Sequence, residues 1–579
     1  MALTLLRRKP LDEILAGADA EGYRLKRTLG AFDLTLLGIG AIVGAGIFTS
    51  IGTAAAGDPS RPGAGPSLML SFVITAAVAA LTALCYAEMA AMVPISGSAY
   101  TYSYATLGEL IAWIIGWDLI IEYAVGNVAV AISWGNYFRA LVSALGYDIP
   151  RWLTTDFRTA AQIPGLLESA PHIFGVPIAL NLFAFLIVSA ITIVLVWGVR
   201  ESASFNSGMV IIKLMVLVFF IVVAAVYVSP AEMMKNWTPF APQGFSGTLH
   251  GAAVAFFAYI GFDAVSTVAE ETKRPTRDLP IGIFASLAIC TVLYVLVAGA
   301  FTGMVPYPEL AARLSNEQAE PLTMALARVA PGARWVSILV AGGAVIANTA
   351  VLLVFQMGQP RIFFSMARDG LLPPVFARVH PRFRTPHVTT IITGIVVGLF
   401  GAVASIDEMV DLTNIGTLFA FVLVCVGIPI LRLRDPDRVR PFRVPLGPWF
   451  VPVLGALSCV FLMIYLPPAS WWRFIGWLVL GLSVYAAYGY NHSGVGRAAG
   501  RSSRLPLGNK IAAPGLVAAA VGLFIVPHSA RPFEIVELAA NAGEGHGRAV
   551  AGLTLLGLGL VVAAIGVLIS RSASRPSQA

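Results

Sequence analysis

The chain has 579 residues, of which 57% are hydrophobic and only 12% are charged, and its mean hydropathy is +0.80. A soluble globular domain carries about twice this charged fraction, so a water-soluble protein of this length is excluded. The formal net charge of +7 is typical of the Lys- and Arg-rich loops of a membrane protein, and we do not interpret it as a nucleic-acid-binding patch.

Apolar segments long enough to span a bilayer as helices recur along the whole chain. A span needs roughly 20 apolar residues, and none of these segments alternates in the manner of a barrel strand. The sequence therefore predicts an all-α integral membrane protein with about fourteen transmembrane helices. The predicted spans are 32–55, 67–93, 110–140, 177–198, 206–228, 248–270, 280–304, 335–360, 387–403, 412–431, 448–467, 471–490, 511–527 and 549–570.

The distribution of basic residues predicts how these spans are oriented. With the N-terminus placed in the cytoplasm, roughly two thirds of the 38 Lys and Arg residues fall in inner segments. Residues 11–27 are amphipathic and lack the apolar core of a cleavable signal peptide. We therefore expect a multi-pass protein of the cell inner membrane with both termini in the cytoplasm.

The first predicted span is rich in glycine, which suits an uninterrupted helix poorly. Residues 38–48 read GIGAIVGAGIF, and each glycine in a helix interior weakens the helix by roughly 1 kcal/mol relative to alanine. One interpretation is close packing against another helix through small residues. The other is a break that frees backbone N–H and C=O groups, which a membrane tolerates only where they line a cavity or meet a ligand.

Ionisable residues lie at depth in the third and fifth spans. Asp118 and Glu122 are four residues apart on the third span and share one helical face. Lys213 lies about eight residues into the fifth span, roughly 12 Å from the membrane surface. A charged side chain there costs several kcal/mol unless it is paired or hydrated. Lys213 therefore either extends its charge back to the headgroups or is a buried amine whose affinity for protons changes with conformation.

The sixth span carries Gly261 and Asp263 near its centre, within the stretch FFAYIGFDAVS at 256–266. Interrupted helices at matching positions of two half-chains indicate the substrate site of an inverted-repeat transporter. The N-terminus of a half-helix offers N–H groups to a carboxylate, and exposed carbonyl oxygens suit an ammonium group. This pair of breaks therefore favours an α-amino acid as the substrate. Glu122 and Asp263 are interpreted either as members of a proton relay or as structural hydrogen-bond partners.

Several further motifs occur in a fixed order along the chain. They are GSAYTY at 97–102, GWDLIIEY at 116–123, Lys213, the segment 257–280 and the segment 359–373. Together with the glycine-rich first span, these motifs resemble the amino acid–polyamine–organocation permeases, most closely the bacterial members of the cationic amino acid transporter group. The similarity covers roughly residues 22–490.

The resemblance implies a LeuT-type fold, in which spans 1–5 and 6–10 form an inverted repeat and helices 1 and 6 are broken. In such permeases the substrate carboxylate binds backbone N–H groups at the first break, and its ammonium group binds carbonyl oxygens of both breaks. The corresponding residues are Gly44, Ala45 and Gly46 for the carboxylate, and Ile42, Phe257, Ala258 and Ile260 for the ammonium group. A span-five lysine takes the place of a bound sodium ion, so we expect Lys213, with Glu122 and Asp263, to couple transport to protons.

The same resemblance divides the chain into segments with separate roles. A cytoplasmic N-terminal segment precedes two five-helix repeats, and further helices and a basic loop follow them. The predicted divisions are 1–31 for the N-terminal segment, 32–228 and 248–431 for the repeats, 448–490 for helices 11 and 12, 491–510 for the cytoplasmic loop, and 511–579 for helices 13 and 14 with the tail.

The sequence therefore predicts a secondary active transporter that moves amino acids across the inner membrane by proton symport. Three alternatives stay open: an amino-acid exchanger without proton coupling, a permease for arginine or lysine, and a non-transporting receptor. The expected partners are an amino-acid substrate, protons and the lipid bilayer, with no nucleic acid, cofactor, metal or enzymatic activity. A neutral amino acid is slightly favoured, because Asp263 alone offers an acid to a cationic side chain. No oligomeric state is predicted.

Overall fold

A computed structural model of the chain describes most of the predicted spans. The described residues are 7–9, 27–58, 61–93, 98–197, 203–314, 320–383, 385–498, 507–525 and 546–573. Most of the predicted cytoplasmic segment 1–31 lies outside the described residues, and so do parts of the loop 491–510 and of the C-terminal region 511–579. Gly97, the first residue of the GSAYTY motif, also lies outside them.

The described chain is almost entirely helical. The α-helices are α1 (Ala31–Ile42), α2 (Ile51–Ala56), α3 (Leu68–Met92), α4 (Ser98–Thr106), α5 (Glu109–Ile120), α6 (Gly126–Ala144), α7 (Phe157–Gln162), α8 (Leu166–Ser169), α9 (Leu182–Trp197), α10 (Ala203–Tyr227), α11 (Pro230–Asn236), α12 (Gly244–Ala255), α13 (Ala264–Thr267), α14 (Pro275–Met304), α15 (Tyr307–Leu314), α16 (Pro321–Val329), α17 (Arg334–Arg368), α18 (His387–Val403), α19 (Ile406–Arg434), α20 (Phe450–Ile464), α21 (Pro468–Val484), α22 (Tyr490–His492), α23 (Gly494–Ala498), α24 (Leu507–Ile525) and α25 (His546–Ala573).

Shorter elements connect or interrupt these helices. Three are π-helices, at Gly46–Ser50, Ile121–Val125 and Tyr485–Gly489. The 3₁₀ turns are Gly65–Ser67, Arg151–Leu153, Phe256–Tyr259, Ala269–Glu271 and Pro374–Ala377. Two small antiparallel hairpins pair β1 (Gly57–Asp58) with β2 (Arg61–Pro62), and β3 (His172–Ile173) with β4 (Val176–Pro177).

Eight of the described helices are long and apolar enough to cross a membrane, and the number rises to ten when each of two bent helix pairs counts as one span. Three shorter apolar helices accompany them, at Leu182–Trp197, His387–Val403 and Leu507–Leu523. Every predicted span overlaps one of these helices, and the prediction of an all-α membrane protein is confirmed. The total of fourteen spans stays a prediction, since helices and bent pairs of this length number eight to ten.

Both spans that were predicted to be broken are interrupted. After α1, Val43 is extended (φ −79°, ψ 101°), and the helix that resumes at Gly46 is bent by 45° from α1. After the 3₁₀ turn that follows α12, Ile260 is extended (φ −62°, ψ 135°) and Gly261 has φ +118°. This left-handed conformation favours glycine. Residues 31–56 are the first broken span below, and residues 244–267 are the second. Their relation by an inverted repeat stays a prediction.

Two glycines of the first broken span permit close contacts with different parts of the bundle. Gly38 packs against α14, because an added Cβ atom would lie 2.5 Å from Ser286 Oγ. Gly46 lies after the break, and there an added Cβ atom would lie 2.3 Å from Ala258 Cα of the second broken span. Close helix packing therefore explains the first of these glycines, and the meeting of two breaks explains the second.

Helices α24 and α25 form a hairpin that contacts the remaining bundle mainly through α21. Small residues allow the two helices to touch at their backbones. A Cβ atom added to Gly515 would lie 2.7 Å from Gly559 O, and one added to Gly522 would lie 2.6 Å from Gly552 O. This close approach is typical of membrane helices that associate through small residues. It accounts for the glycine content of this region without involving the two breaks.

The two ends of the bundle are held by different ion pairs. At the end where the chain begins, the N-terminal end, Lys9 Nζ donates to Asp369 Oδ1 at 3.1 Å, and Tyr100 Oη donates to Asp369 Oδ2 at 2.7 Å. At the opposite end, the Arg61 end, Arg61 Nη1 donates to Asp411 Oδ1 at 2.7 Å. The first broken span runs from one end to the other, with its break between them.

Candidate functional site

The two breaks lie directly against each other inside the bundle. Gly46 faces Ala258, and a Cβ atom added to Gly261 would lie 2.9 Å from the carbonyl carbon of Ala41. Real Cβ atoms do not approach backbone atoms this closely, so glycine at these two positions permits the contact. Ala258 is completely buried, and Ala41 is 2% exposed. The structure therefore brings together the two interruptions that the sequence predicted.

The residues predicted to bind a substrate carboxylate start the half-helix after the first break. Gly44 O accepts hydrogen bonds from Ile47 N at 3.1 Å and from Phe48 N at 3.2 Å, which closes the first turn. The first N–H groups of a helix have no acceptor within the helix. The N–H groups at Ala45 and Gly46 are therefore suited to an anion, as the start of a helix generally is. Binding of a carboxylate by these residues stays a prediction.

The carbonyl groups predicted to bind an ammonium group come from both breaks. Phe257 and Ala258 lie in the 3₁₀ turn before the second break, and Ile260 is the extended residue that follows it. Carbonyl groups at such a helix end lose their partners one turn further on. Ile42 O already accepts a hydrogen bond from Tyr294 Oη of α14 at 3.0 Å. A carbonyl oxygen has two lone pairs, so Ile42 keeps one for a further donor.

Lys213 of α10 places its ammonium group at the end of α1. Its side chain is fully buried, and Nζ donates to Gly40 O at 2.5 Å and to Val43 O at 2.9 Å. The break removes the helical partners of these carbonyl groups, and a buried ammonium group needs acceptors of this kind. Lys213 is therefore a buried amine that contacts the first break, and its charge does not extend to the headgroups. A role in proton coupling stays a prediction.

Two carboxyl groups meet beside the second break. Asp263 Oδ2 accepts a hydrogen bond from Tyr123 Oη at 3.2 Å, and the carboxyl group of Glu122 is within hydrogen-bonding range of Asp263. Both acids are buried, with 2% exposure for Glu122 and none for Asp263. A hydrogen bond between two carboxyl groups requires that one of them carries a proton. The arrangement can therefore hold a proton, and it equally fits a structural pair.

Glu122 lies in the π-helix at Ile121–Val125. Such a bulge adds a residue to the helical turn and is frequent at functional sites. Asp118, one turn earlier on α5, is 1% exposed, and neither of its carboxylate oxygens has a hydrogen-bond partner among the described residues. A Cβ atom added to Gly416 of α19 would lie 3.0 Å from Asp118 Oδ1. Asp118 is therefore a buried acid that lies beside α19.

A chain of hydrogen bonds that the sequence did not predict holds the half-helix after the first break. Thr49 Oγ1 and Ser133 Oγ lie 2.6 Å apart, and Asn348 Nδ2 donates to Ser133 Oγ at 2.8 Å. Tyr137 Oη donates to Phe48 O in the same region. These contacts join the first broken span to α6 and α17. Short polar side chains in apolar spans give no register by themselves, so no sequence pattern identified this network.

A cavity of about 1290 Å³ lies at the Arg61 end, between the end of α6 and the start of α17. Arg139 and Glu320 face each other in its wall, with Arg139 Nη2 and Glu320 Oε1 3.1 Å apart. Burial raises the pKa of the Glu320 carboxyl group, and the charge of Arg139 opposes that change. The cavity therefore has charged side chains in its wall and lies on the same side of the breaks as Arg61.

The buried acids and cysteines are candidate metal ligands by residue type. Within the part of the chain that the structure describes, no group of three or more His, Cys, Asp or Glu side chains is arranged to hold a metal ion. Cys85, Cys290, Cys425 and Cys459 are each buried and free. The site at the breaks consists of backbone N–H and C=O groups, one ammonium group and a pair of carboxyl groups.

Known proteins resemble this chain over most of its length. A family model described as amino acid permease matches residues 29–484. A branched-chain amino acid permease, BcaP, of Bacillus subtilis is 45% identical over 490 residues, which cover 85% of this chain and 98% of that protein. The methylthioribose transporter of the same organism is 42% identical, with 85% and 99% covered. Cationic amino acid transporter 4, vacuolar, of Arabidopsis thaliana is 36% identical over 438 residues, covering 75% of this chain and 68% of that protein.

Proposed function

This chain belongs to the amino acid permease family, and we propose that it is a secondary active transporter that carries neutral amino acids together with protons. The contact of Lys213 with Gly40 O and Val43 O carries this proposal. The ammonium group donates hydrogen bonds to carbonyl oxygens that could otherwise coordinate a bound metal cation. A lysine can release and regain a proton, so the cation of this site is a proton held on Nζ.

The two breaks provide the substrate site in this proposal. The carboxylate of an amino acid binds the N–H groups at Ala45 and Gly46, and its ammonium group binds carbonyl oxygens of the second break. Loss of the Lys213 proton removes the ion–dipole attraction to Gly40 and Val43, which frees the end of α1 to move. Movement of the first broken span then exchanges the site between the two faces of the membrane.

A neutral substrate is supported by the arrangement of the buried acids. The carboxyl groups of Glu122 and Asp263 contact each other, and Tyr123 donates to the second of them. A cationic side chain would have to compete with these contacts. The relative that is 45% identical is named a branched-chain amino acid permease, whereas a relative named for cationic amino acids is 36% identical. The engaged acid pair and the higher identity to the branched-chain permease both favour a substrate with an apolar or small neutral side chain.

The halves 32–228 and 248–431 form the inverted repeat of this proposal, and the N-terminal end faces the cytoplasm. The interrupted helices at corresponding positions support the repeat. The excess of Lys and Arg in segments at the N-terminal end supports the orientation. Under this assignment the Arg61 end and its cavity face the outside of the cell, and the protein lies in the cytoplasmic membrane.

Uptake into proteoliposomes tests the substrate and the coupling together. Purified protein is reconstituted with an alkaline interior, and uptake of leucine, valine, alanine, arginine, lysine and methylthioribose is compared at equal concentrations. The proposal predicts accumulation of a neutral amino acid that collapses when a protonophore removes the pH gradient. Methylthioribose, a sugar without carboxylate or ammonium group, is included because a relative is named for it. Accumulation of arginine or of methylthioribose alone would contradict the proposed substrate class.

An exchanger without proton coupling is the second candidate, and one observation favours it. Both hydrogen bonds of Lys213 Nζ are fully buried, which also suits a fixed structural link between α10 and α1. An exchanger would show counterflow of labelled substrate into preloaded liposomes and no net accumulation under a pH gradient. Measuring counterflow and gradient-driven uptake in the same preparation therefore separates the two candidates.

A further inference from the structure

Four charged residues form a buried cluster where the first broken span ends. Arg61 Nη1 lies 2.7 Å from Asp411 Oδ1, and Arg61 Nε lies 2.7 Å from Asp58 Oδ2. Thr53 Oγ1 of α2 donates to Asp407 Oδ1 at 2.9 Å, one turn before Asp411 on α19. We call Asp58, Arg61, Asp407 and Asp411 the Arg61 cluster.

The central pair of the cluster, Arg61 and Asp411, is buried although it lies near the end of the bundle. The side chain of Arg61 is 3% exposed, that of Asp411 is 8% exposed and that of Asp58 is 18% exposed. Desolvation offsets much of the attraction within a buried ion pair, so such a pair is a weak source of stability. Two carboxyl groups, those of Asp58 and Asp411, contact the guanidinium group, and a third, that of Asp407, lies one turn from Asp411 on α19. Simple stabilisation of the fold therefore explains this arrangement poorly.

The position of the cluster explains it better. The β1–β2 hairpin that carries Asp58 and Arg61 directly follows α2, which is the last part of the first broken span. Helix α19 carries the two remaining acids, and Asn414 on the same helix donates to Ala253 O just before the second break. The Arg61 cluster thus links the end of the first broken span to α19, and α19 also contacts the second broken span.

Other contacts close the same end of the molecule around the cluster. Gly52 of α2 packs against α16, because an added Cβ atom would lie 3.1 Å from Pro321 Cβ. Tyr137 Oη donates to Phe48 O, and Ser50, two residues further along the half-helix, is only 4% exposed. The cavity of about 1290 Å³ lies on the far side of α16. In this conformation the breaks are therefore closed off from the Arg61 end.

We propose that the Arg61 cluster is a latch that closes the Arg61 end of the transport path. Separation of Arg61 from Asp411 releases α2 and the β1–β2 hairpin from α19 and opens the path to the two breaks. An ion pair near the end of the bundle can separate in this way, because water can hydrate both charged groups after they part. The surplus of carboxyl groups assists opening once Arg61 has moved, since the acids then repel one another.

Labelling of a buried cysteine tests the latch without substrate. Ser50→Cys is introduced on the closed side of the cluster, and a membrane-impermeant thiol reagent is applied to cells or to proteoliposomes from the Arg61 face. The protein without this substitution gives the background, which should be low because its four cysteines are buried. In the S50C background, Arg61→Gln is expected to raise the labelling rate about tenfold. Asp411→Asn should have a similar effect, and the double variant should add little to either.

The exposed ion pair at the same end supplies the matched control. Arg158 Nη1 lies 2.9 Å from Glu408 Oε1, and the Arg158 side chain is 70% exposed. Arg158→Gln removes an arginine–carboxylate pair near the cluster and should leave the labelling rate unchanged. The latch is overturned if Arg61→Gln and Asp411→Asn both label at the rate of the S50C protein. If Arg61→Gln does not fold, the unchanged rate of Asp411→Asn is sufficient for that conclusion.

The labelling result is independent of the proposed substrate and of proton coupling. Faster labelling in the two cluster variants would support the latch even if no neutral amino acid were transported. Unchanged labelling beside normal proton-driven uptake would overturn the latch and leave the transport proposal intact. The two inferences can therefore fail separately.

Discussion

Both broken spans bury polar groups at an interruption of a helix, and different side chains contact those groups in the two spans. At the first break, fixed donors from α10 and α14 satisfy the freed carbonyl groups of Gly40, Ile42 and Val43. At the second break, the group that is satisfied is a side chain, because Asp263 contacts Tyr123 and Glu122. The contacts at the first break are thus made to its backbone, and those at the second break are made to the carboxyl group of Asp263.

This difference suggests a division of labour between the breaks. In the proposed mechanism, loss of the Lys213 proton lets the end of α1 move, whereas the carboxyl groups of Glu122 and Asp263 can store or pass a proton with little movement of the chain. The first break is then the element that moves on loss of the Lys213 proton, and the carboxyl pair at the second break is the element that supplies or accepts a proton. Substitutions that act on one break alone can separate these roles.

The largest effect is expected where the two breaks touch. Gly46→Ala places a Cβ atom 2.3 Å from Ala258 Cα, and neither backbone can yield without separating the breaks. Displacement of a site by about 1 Å commonly costs about 100-fold in activity, so amino-acid uptake should fall about that far. Gly208→Ala on α10 is the control, because nothing lies within 4 Å of the added atom. Equal uptake by the two variants would show that contact of the breaks is not required.

Removal of the lysine should abolish coupling and spare the site. Lys213→Met keeps an unbranched side chain that is one atom shorter, and it leaves Gly40 O and Val43 O without their donor. Accumulation under a pH gradient should fall at least about tenfold, while counterflow persists, although two unpaired carbonyl groups should also lower the melting temperature. Lys235→Met, at an exposed lysine of α11, should change neither measurement. Retention of gradient-driven accumulation in Lys213→Met would contradict the role given to this residue.

Neutral replacements in the acid pair should have a smaller and more selective effect. Glu122→Gln and Asp263→Asn keep hydrogen-bonding capacity but cannot exchange a proton, so gradient-driven uptake should fall about tenfold with counterflow retained. The double variant should be little worse than either single variant, because the two residues act as one unit. Glu168→Gln, at an exposed acid of α8, is the control. Loss of folded protein in both single variants would instead indicate a structural pair.

The smallest effect is expected from the tyrosine that serves the second break. Tyr123→Phe removes one hydrogen bond to Asp263 Oδ2 and keeps the ring that packs on Phe355. Loss of one bond of this kind corresponds to about 1 kcal/mol, so uptake should change only about fivefold. A shift in the pH profile of uptake with little change in melting temperature is the expected pattern. An unchanged profile would show that Tyr123 does not influence the acid pair.

Much of the fold was predictable because the bilayer imposes it. Length and hydropathy predicted the apolar helices, and one glycine beside a carboxylate, Gly261 near Asp263, identified the second break. The lysine was recognisable because a charge at that depth has few alternatives. By contrast, Tyr294 and the chain from Thr49 to Asn348 could not be predicted, since ordinary polar residues carry no register. One partner of Arg61, Asp411, lies 350 residues away in the chain, and that contact depends on the folded arrangement.

The most direct test follows the proton itself. Proteoliposomes are loaded with a pH-sensitive dye, and a transported neutral amino acid is added outside in the absence of any imposed gradient. The account predicts that the lumen acidifies when the substrate enters with the wild-type protein, and that Lys213→Met gives counterflow without acidification. Acidification by Lys213→Met at the wild-type rate, or uptake by the wild-type protein without any acidification, would contradict the assignment of the coupling proton to Lys213.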